Sequence, residues 1–213
     1  MKNIMNELYQ CVIDGQKNEV ENLVNQAIIS GISPVTILNQ GMIAAMSEVG
    51  RRFEAGDFYV PEMLIAARAM QSGLAILRPY LQEGDVKPAG LVVIGTVKGD
   101  LHDIGKNLVA MMLEGAGFEI VDLGADVPAE KFIEAVRTHK ADILAMSALL
   151  TTTMANMKGI IQLIQTADLD KKVHVIIGGA PVTENYANSI GADGYGPDAS
   201  RAVSLAKALV SAK

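Results

Sequence analysis

The sequence predicts an all-helical half followed by an open α/β half whose strands run parallel. In residues 1–82 the apolar positions recur at helical spacing, as in Met63, Ala67 and Met70, which is typical of amphipathic helices. Beyond them, short β-branched runs alternate with helical segments, the pattern of a parallel sheet with helical crossovers. The polar stretch at residues 83–90, rich in glycine and proline, is the predicted linker.

The first half is predicted to hold four helices. Two of them lie near residues 2–14 and 17–30. Ser33 followed by Pro34 opens the third helix, because serine is a favoured N-cap and proline a favoured first helical residue. Pro61 opens the fourth in the same way. This half therefore reads as a helical bundle.

The second half is predicted to form a sheet of five strands. The strands lie at residues 91–95, 118–123, 143–147 and 173–177 and near Gly194, and the helices lie near residues 104–116, 128–139, 152–166 and 183–190 and from about Asp198. The crossovers between consecutive strands are right-handed, so the strands are parallel. The predicted domains are residues 1–88 and 89–213.

The composition excludes several classes of protein. Half of the 213 residues are hydrophobic, the formal net charge is −6, and acidic and basic residues are interspersed. This balance argues against nucleic acid or an anionic membrane surface as a partner. The single cysteine excludes an internal disulfide, and no apolar run approaches the ~20 residues that span a bilayer. We expect a cytoplasmic protein.

The candidate chemistry lies in the loops that follow the first, third and fourth strands, because open parallel sheets bind ligands beyond their carboxyl ends. The first of these loops contains Asp100 and His102. At this spacing, the carboxylate can accept a hydrogen bond from one ring nitrogen while the other nitrogen faces a metal. Residues 99–106 do not fit the P-loop pattern, because five residues separate the two glycines.

Three spaced motifs follow predicted strands in order: Asp100-x-His102-x-x-Gly105, Ser147-x-Leu149 and Gly178-Gly179. Together they resemble the cobalamin-binding domain of corrinoid methyltransferases. Residues 49–56 and 58–63 resemble the helical cap module that precedes this domain in cobalamin-dependent methionine synthase. The layout is similar to that of the small corrinoid proteins of methylamine- and methanol-type methyltransferase systems. The resemblance implies a four-helix bundle cap followed by a Rossmann-like (flavodoxin-like) domain with a five-stranded parallel sheet.

The resemblance also implies a corrinoid site, with cobalamin or a related corrinoid as cofactor. His102 would be the axial ligand to cobalt, and Asp100 and Ser147 would continue a hydrogen-bond relay behind it. The implied cofactor-binding residues of the sheet domain are Asp100, His102, Asp103, Ile104, Gly105, Ser147, Leu149, Thr151, Gly178, Gly179, Gly194 and Tyr195. Phe53, Val60 and Met63 would cover the upper face of the corrin.

The implied function is that of a methyl carrier rather than of an enzyme by itself. A substrate-specific methyltransferase would load the cobalt, an acceptor methyltransferase of the coenzyme M or tetrahydrofolate type would unload it, and a reductive activase would maintain it. The linker at residues 83–90 would be the hinge that lets the cap move. The methyl donor stays open among methanol, methylamines, quaternary amines and methoxylated aromatics.

Three alternatives stay open at this point. One is a complete enzyme, although the two predicted domains already account for the 213 residues and leave no third catalytic domain. A cobalamin-dependent sensor or regulator can use the same fold, although no basic DNA-reading helix is visible in the sequence. A metal site without a corrin could be built from Asp100, His102 and Asp103. No second histidine lies near His102 in the sequence, which weakens that alternative.

Overall fold

The computed structural model describes residues 2–81, 88–169 and 172–211. The chain forms two compact units, one of Met1–Lys87 with Gly115–Gly117 and one of Pro88–Glu114 with Phe118–Lys213. Residues 83–87, which are most of the predicted linker, lie outside the described residues. The hinge and the domain boundary therefore stay predictions.

The first unit is helical, as predicted. Its α-helices are α1 (Lys2–Ile13), α2 (Lys17–Ile29), α3 (Pro34–Thr36), α4 (Ala44–Glu54) and α5 (Val60–Leu77). Ser33 caps α3, since its side chain accepts a hydrogen bond from the Thr36 backbone N–H at 3.2 Å. The Tyr59 backbone N–H donates to the Glu62 side-chain carboxylate at 2.9 Å, and this bond holds the start of α5. Both predicted helix starts are thus supported by local hydrogen bonds.

A π-helical segment, Ile37–Ile43, joins α3 to α4. The sequence predicts one regular helix here, because the apolar positions stay on one face whether or not a wider turn intervenes. Helix α1 packs closely at this point, and a Cβ at Gly41 would lie 2.8 Å from the Leu8 side chain. Glycine at this position therefore allows α1 to approach the backbone of the π segment.

The second unit is a three-layered α/β fold. Its strands are β1 (Leu91–Thr96), β2 (Glu119–Asp122), β3 (Ile143–Ser147), β4 (His174–Gly178) and β5 (Gly194–Gly196), and its helices are α6 (Ile104–Gly115), α7 (Ala129–His139), α8 (Thr151–Met154), α9 (Asn156–Thr166), α10 (Glu184–Ile190) and α11 (Ala199–Ser211). In the described residues all five strands are parallel, in the order β2-β1-β3-β4-β5. This is the flavodoxin-like order, and the predicted fold class is confirmed.

The register of the sheet brings the three motif loops to one edge. Ser147 pairs with Thr96 of β1 on one side and with Gly178 of β4 on the other. The chain therefore leaves β1, β3 and β4 at the same level. The strand order reverses between β1 and β3, which is where ligands bind in sheets of this kind.

The predicted helix at residues 152–166 is two helices, α8 and α9, which meet at Ala155. Leu150 precedes α8 with an extended backbone. The short α8 carries Thr153, whose hydroxyl donates a hydrogen bond to Asp100 in the loop after β1. Among the described residues, no helix is long and apolar enough to cross a membrane.

Candidate cofactor site

The loop after β1 places an exposed imidazole beside a buried carboxylate. Nδ1 of His102 lies 2.8 Å from Oδ1 of Asp100, and the side chains are 52% and 0% exposed, respectively. A carboxylate can only accept here, so Nδ1 carries the proton and Nε2 of the neutral ring keeps its lone pair. Within the described part of the chain, Nε2 has no hydrogen-bond partner.

Asp100 is held by several further donors. Its Oδ2 accepts from the backbone N–H groups of Leu149 and Leu150, at 2.8 and 3.2 Å, and from Thr153 Oγ1 at 2.6 Å. Burial by itself would raise the pKa of Asp100. The hydrogen bonds from Thr153, from His102 and from the backbone outweigh it and hold this pKa well below its ordinary value. Asp100 is therefore ionised and fixed in orientation.

The hydroxyl that donates to Asp100 belongs to Thr153. The predicted hydrogen-bond relay placed Ser147 in this role. In the described structure, Ser147 is not among the groups bonded to Asp100. Ser147 stands at the end of β3, where its carbonyl accepts from Val97 N–H at 3.0 Å. The run of three threonines after β3 was the available signal for Thr153. The cofactor role of Ser147 stays a prediction.

Hydrogen bonds also hold the backbone of the histidine loop. The buried Thr96 hydroxyl donates to the His102 carbonyl at 3.1 Å. The loop after β3 is linked to β4, because Ala148 N–H donates to the Gly178 carbonyl at 3.3 Å. The motifs after β1, β3 and β4 are therefore brought together by direct bonds as well as by strand order.

The motif glycines fall into two groups. A Cβ added to Gly105 would meet nothing within 4 Å, so the space in front of the start of α6 is open. A Cβ at Gly179, where φ is +122°, would lie 1.9 Å from the Ala148 carbonyl oxygen. At Gly178 it would lie 2.9 Å from the Gly196 oxygen, and at Gly194 it would lie 2.5 Å from Leu205. Gly105 thus has room for a ligand, whereas the other three are required by packing of the chain itself.

Exposed apolar side chains lie on the two loops that hold Asp100 and His102. The exposed fractions are 75% for Leu101, 82% for Ile104, 43% for Leu149 and 43% for Leu150. Large apolar side chains grouped around a polar contact mark a ligand surface more often than a solvated loop. Of the other predicted residues, Thr151 is exposed and Tyr195 packs against the core of the sheet.

A second network holds the start of α6. The buried Lys106 ammonium donates to Asp122 Oδ2 and, at 2.6 Å, to Asn107 Oδ1. The Asn107 amide in turn donates to Asp103 Oδ2 at 3.1 Å. Asp103 is therefore engaged by the helix that follows it.

The donor set favours a cobalt that a macrocycle already holds. Among the described residues, no group of three or more His, Cys, Asp or Glu side chains could hold a metal ion. A bare site would need Asp100 and Asp103, and both carboxylates are bonded elsewhere. A single oriented imidazole beside an apolar surface and open space at Gly105 fits a corrinoid, whose ring supplies the equatorial ligands.

The predicted cap residues differ in exposure. Phe53 is partly buried, Val60 is 44% exposed and Met63 is fully buried. Of the three, Met63 presents the least surface. Their position over the corrin stays a prediction.

The comparisons with known proteins agree with this site. Two models, each described as a B12 binding domain, match residues 90–204 and residues 4–78. The chain is 42% identical over 203 residues to a trimethylamine corrinoid protein of Methanosarcina barkeri, covering 94% of each chain. It is 42% identical over 208 residues to a dimethylamine corrinoid protein of the same organism, covering 97% of each.

A solved structure agrees as well. The crystal structure of the methanol:cobalamin methyltransferase complex from Methanosarcina barkeri matches with a TM-score of 0.89 and 29% identity, covering 99% of this chain and 81% of that chain. One family model alone spans more than half of the chain, and the relatives align along nearly all of it. The chain therefore belongs to the B12 binding domain family and, within it, to the corrinoid proteins.

Proposed function

We propose that this chain carries methyl groups on the cobalt of a bound corrinoid, between a substrate-specific methyltransferase and an acceptor methyltransferase. The observation that carries the proposal is the pair of Asp100 and His102, with Nδ1 bonded at 2.8 Å and an exposed ring. The corrinoid, when bound, supplies the metal that accepts and releases the methyl group. The relatives named as corrinoid proteins support a carrier over a sensor.

In this proposal the protein sets how strongly His102 binds. Nε2 would be the ligand atom, because Asp100 keeps the proton on Nδ1 and leaves the lone pair on Nε2. Thr153 and the backbone N–H groups of Leu149 and Leu150 keep Asp100 in place.

The proposed methyl donor is a methylated amine, activated on a separate methyltransferase. Relatives that align along more than nine-tenths of the chain are named for trimethylamine and dimethylamine. The similar structure comes from a complex with a methanol methyltransferase component, which supports a protein partner of this kind. The proposed acceptor enzyme serves coenzyme M or tetrahydrofolate, and a reductive activase restores the metal after oxidation.

The first test is cofactor retention. Wild type, His102→Ala and His139→Ala are mixed with hydroxocobalamin and desalted, and their absorption spectra are compared. His139 is an exposed histidine at the end of α7 and serves as the matched control. We expect wild type and His139→Ala to retain the same red chromophore, and His102→Ala to lose the spectrum of histidine ligation. An identical spectrum in all three would refute His102 as ligand.

The second test separates a carrier from an enzyme. The protein loaded with methylcobalamin is incubated with coenzyme M or tetrahydrofolate, with and without the corresponding acceptor methyltransferase. We expect demethylation only when the methyltransferase is present. Loading from trimethylamine, dimethylamine or methanol in the presence of each substrate methyltransferase then identifies the donor. Turnover by the chain alone would contradict the carrier role.

A further inference from the structure

A tight turn leads from β1 to the Asp100 and His102 pair. Asp100 N–H donates to the Val97 carbonyl at 3.2 Å, and Gly99 has φ +82°. A glycine with positive φ at the third position is the signature of a type II turn. The central peptide group of this turn joins Lys98 to Gly99.

Two side chains from elsewhere in the unit hold that one peptide group from both sides. The Gly99 N–H donates to Asp126 Oδ1 at 2.7 Å. The Lys98 carbonyl accepts from Asn156 Nδ2 at 2.9 Å. Asp126 lies in the loop before α7, and Asn156 is the first residue of α9. Type I and type II turns differ by a flip of this central peptide, so both bonds are made in only one orientation.

Asp126 also bonds to Asp100, and its own backbone has an unusual conformation. Its N–H donates to the Asp100 carbonyl at 3.0 Å, and its φ is +55°. Residues other than glycine adopt this region rarely, and aspartate is among the few that tolerate it. A strained residue is retained where the surrounding structure requires it. Here the strained residue, Asp126, is bonded to Asp100, which orients His102.

We propose that Asp126 and Asn156 are positioning residues for the cobalt ligand. By fixing the peptide between Lys98 and Gly99, they select the turn that directs the Asp100 carboxylate to His102 Nδ1. Neither residue belongs to the three motifs of the site. The proposal rests on the proposed function, in which His102 binds cobalt, but its first consequence is measurable in the cofactor-free protein.

Three variants at Asp126 separate its two contributions. Asp126→Asn keeps an acceptor oxygen and the tolerance of positive φ. Asp126→Gly keeps the backbone conformation and removes the acceptor, and Asp126→Ala removes both. Asn156→Ala removes the donor on the other side. Both positions are exposed, so we expect all four variants to fold, which circular dichroism verifies.

The cofactor-free measurement is hydrogen exchange of the Gly99 amide by NMR. Gly99 is exposed, so its protection depends on the bond to Asp126. We expect exchange to be about two- to tenfold faster in Asp126→Ala and Asp126→Gly than in wild type, as for the loss of one hydrogen bond. Asp126→Asn should stay within about twofold of wild type. Equal exchange rates in all of the proteins would show that no clamp exists.

The loaded measurement is electron paramagnetic resonance of the Co(II) corrinoid bound to protein with ¹⁵N-labelled histidine. Coupling to the labelled axial nitrogen is a doublet, whereas coupling to an unlabelled base of the cofactor is a triplet. The ratio of the doublet to the total Co(II) signal gives the fraction of cobalt bound to histidine. We expect this ratio to fall about two- to tenfold in Asp126→Ala, Asp126→Gly and Asn156→Ala, and Asp126→Asn to restore it.

The possible failures are distinct. A wild type that binds corrinoid without a doublet would overturn both the proposed function and this inference. A wild-type doublet that persists at full intensity in Asp126→Ala and Asn156→Ala would overturn this inference alone. Asp126→Gly behaving as wild type would show that the backbone conformation matters and the side-chain clamp does not.

Discussion

Nδ1 of His102 and Oδ1 of Asp100 are 2.8 Å apart, and this contact joins a ring that is half exposed to a carboxylate that is fully buried. The buried member is rigid because its other oxygen is bonded to the loop after β3. The exposed member is free to meet a ligand. Asp100 thus orients the imidazole ring, and the exposed ring of His102 is accessible to a ligand.

Removing the hydroxyl of Thr153 should destabilise the cofactor-free protein. Thr153→Val keeps the shape of the side chain and deletes the 2.6 Å bond to Asp100. Hydrogen bonds to charged groups contribute about 1.5–3 kcal/mol, so we expect a loss of that size in the free energy of unfolding. Thr153→Ser, which keeps the hydroxyl, should lose less. Urea denaturation of the three proteins measures the effect, and equal stabilities would contradict it.

Alanine should lower the stability of the protein at one motif glycine, Gly179, and not at another, Gly105. At Gly179, φ of +122° and the 1.9 Å approach to Ala148 predict a loss of at least about 2 kcal/mol in the free energy of unfolding. At Gly105 the added methyl group meets open space. We expect Gly105→Ala to be neutral or up to about 1 kcal/mol more stable, because alanine favours helices.

The Gly105→Ala variant also tests whether the cofactor lies next to Gly105. Gly105→Ala should retain less hydroxocobalamin than wild type after desalting, although its fold is intact, because the methyl group occupies space in front of α6. Full retention by a stable Gly105→Ala protein would argue against this position as part of the cofactor site.

Features that depend on neighbouring residues could be predicted from the sequence. The strands follow from β-branched runs, and the contact between Asp100 and His102 follows from a spacing of two residues in a loop. The hydroxyl behind Asp100 could not be assigned in the same way. Thr153 reaches Asp100 across 53 positions of sequence, and only the packing of β1 beside β3 decides which of several hydroxyls does so.

The motif glycines show a second limit of sequence reasoning. Gly105, Gly178 and Gly179 look alike in a sequence, and the family resemblance implies all three as cofactor-binding residues. The structure separates them, because two are crowded by the chain itself and one faces open space. Asp126 and Asn156 carry no motif at all. Their roles arise from a single peptide group that two distant segments share.

Removing the buried ammonium of Lys106 should destabilise the sheet unit. The Lys106 side chain is 1% exposed and its partner Asp122 is 38% exposed. Breaking a fully buried pair costs about 3–5 kcal/mol, and water can rehydrate part of Asp122, so we expect Lys106→Met to lose less than this. Lys131→Met, at an exposed position of α7, should change stability by at most about 0.5 kcal/mol. Equal effects of the two substitutions in guanidinium denaturation would contradict a special role for Lys106.

Acid should remove the contribution that Glu48 makes to the stability of the helical unit. Its carboxylate accepts from Arg51 at 2.7 Å and from Arg52 at 2.9 Å. Hydrogen bonds from Arg51 and then Arg52 lower the pKa of Glu48 from 4.5 to about 2. A carboxyl group with a lowered pKa in the folded state stabilises that state above its unfolded pKa, and loses this contribution as the pH falls through the folded value.

The measurement is the difference in stability between wild type and Glu48→Gln as a function of pH. We expect the difference to be constant above the unfolded pKa of 4.5 and to shrink as the pH falls toward about 2. Added salt should reduce it at every pH, because the ion pairs lie near the surface and are screened. A difference that did not change between neutral and acidic pH would mean that the arginines do not favour the ionised form of Glu48.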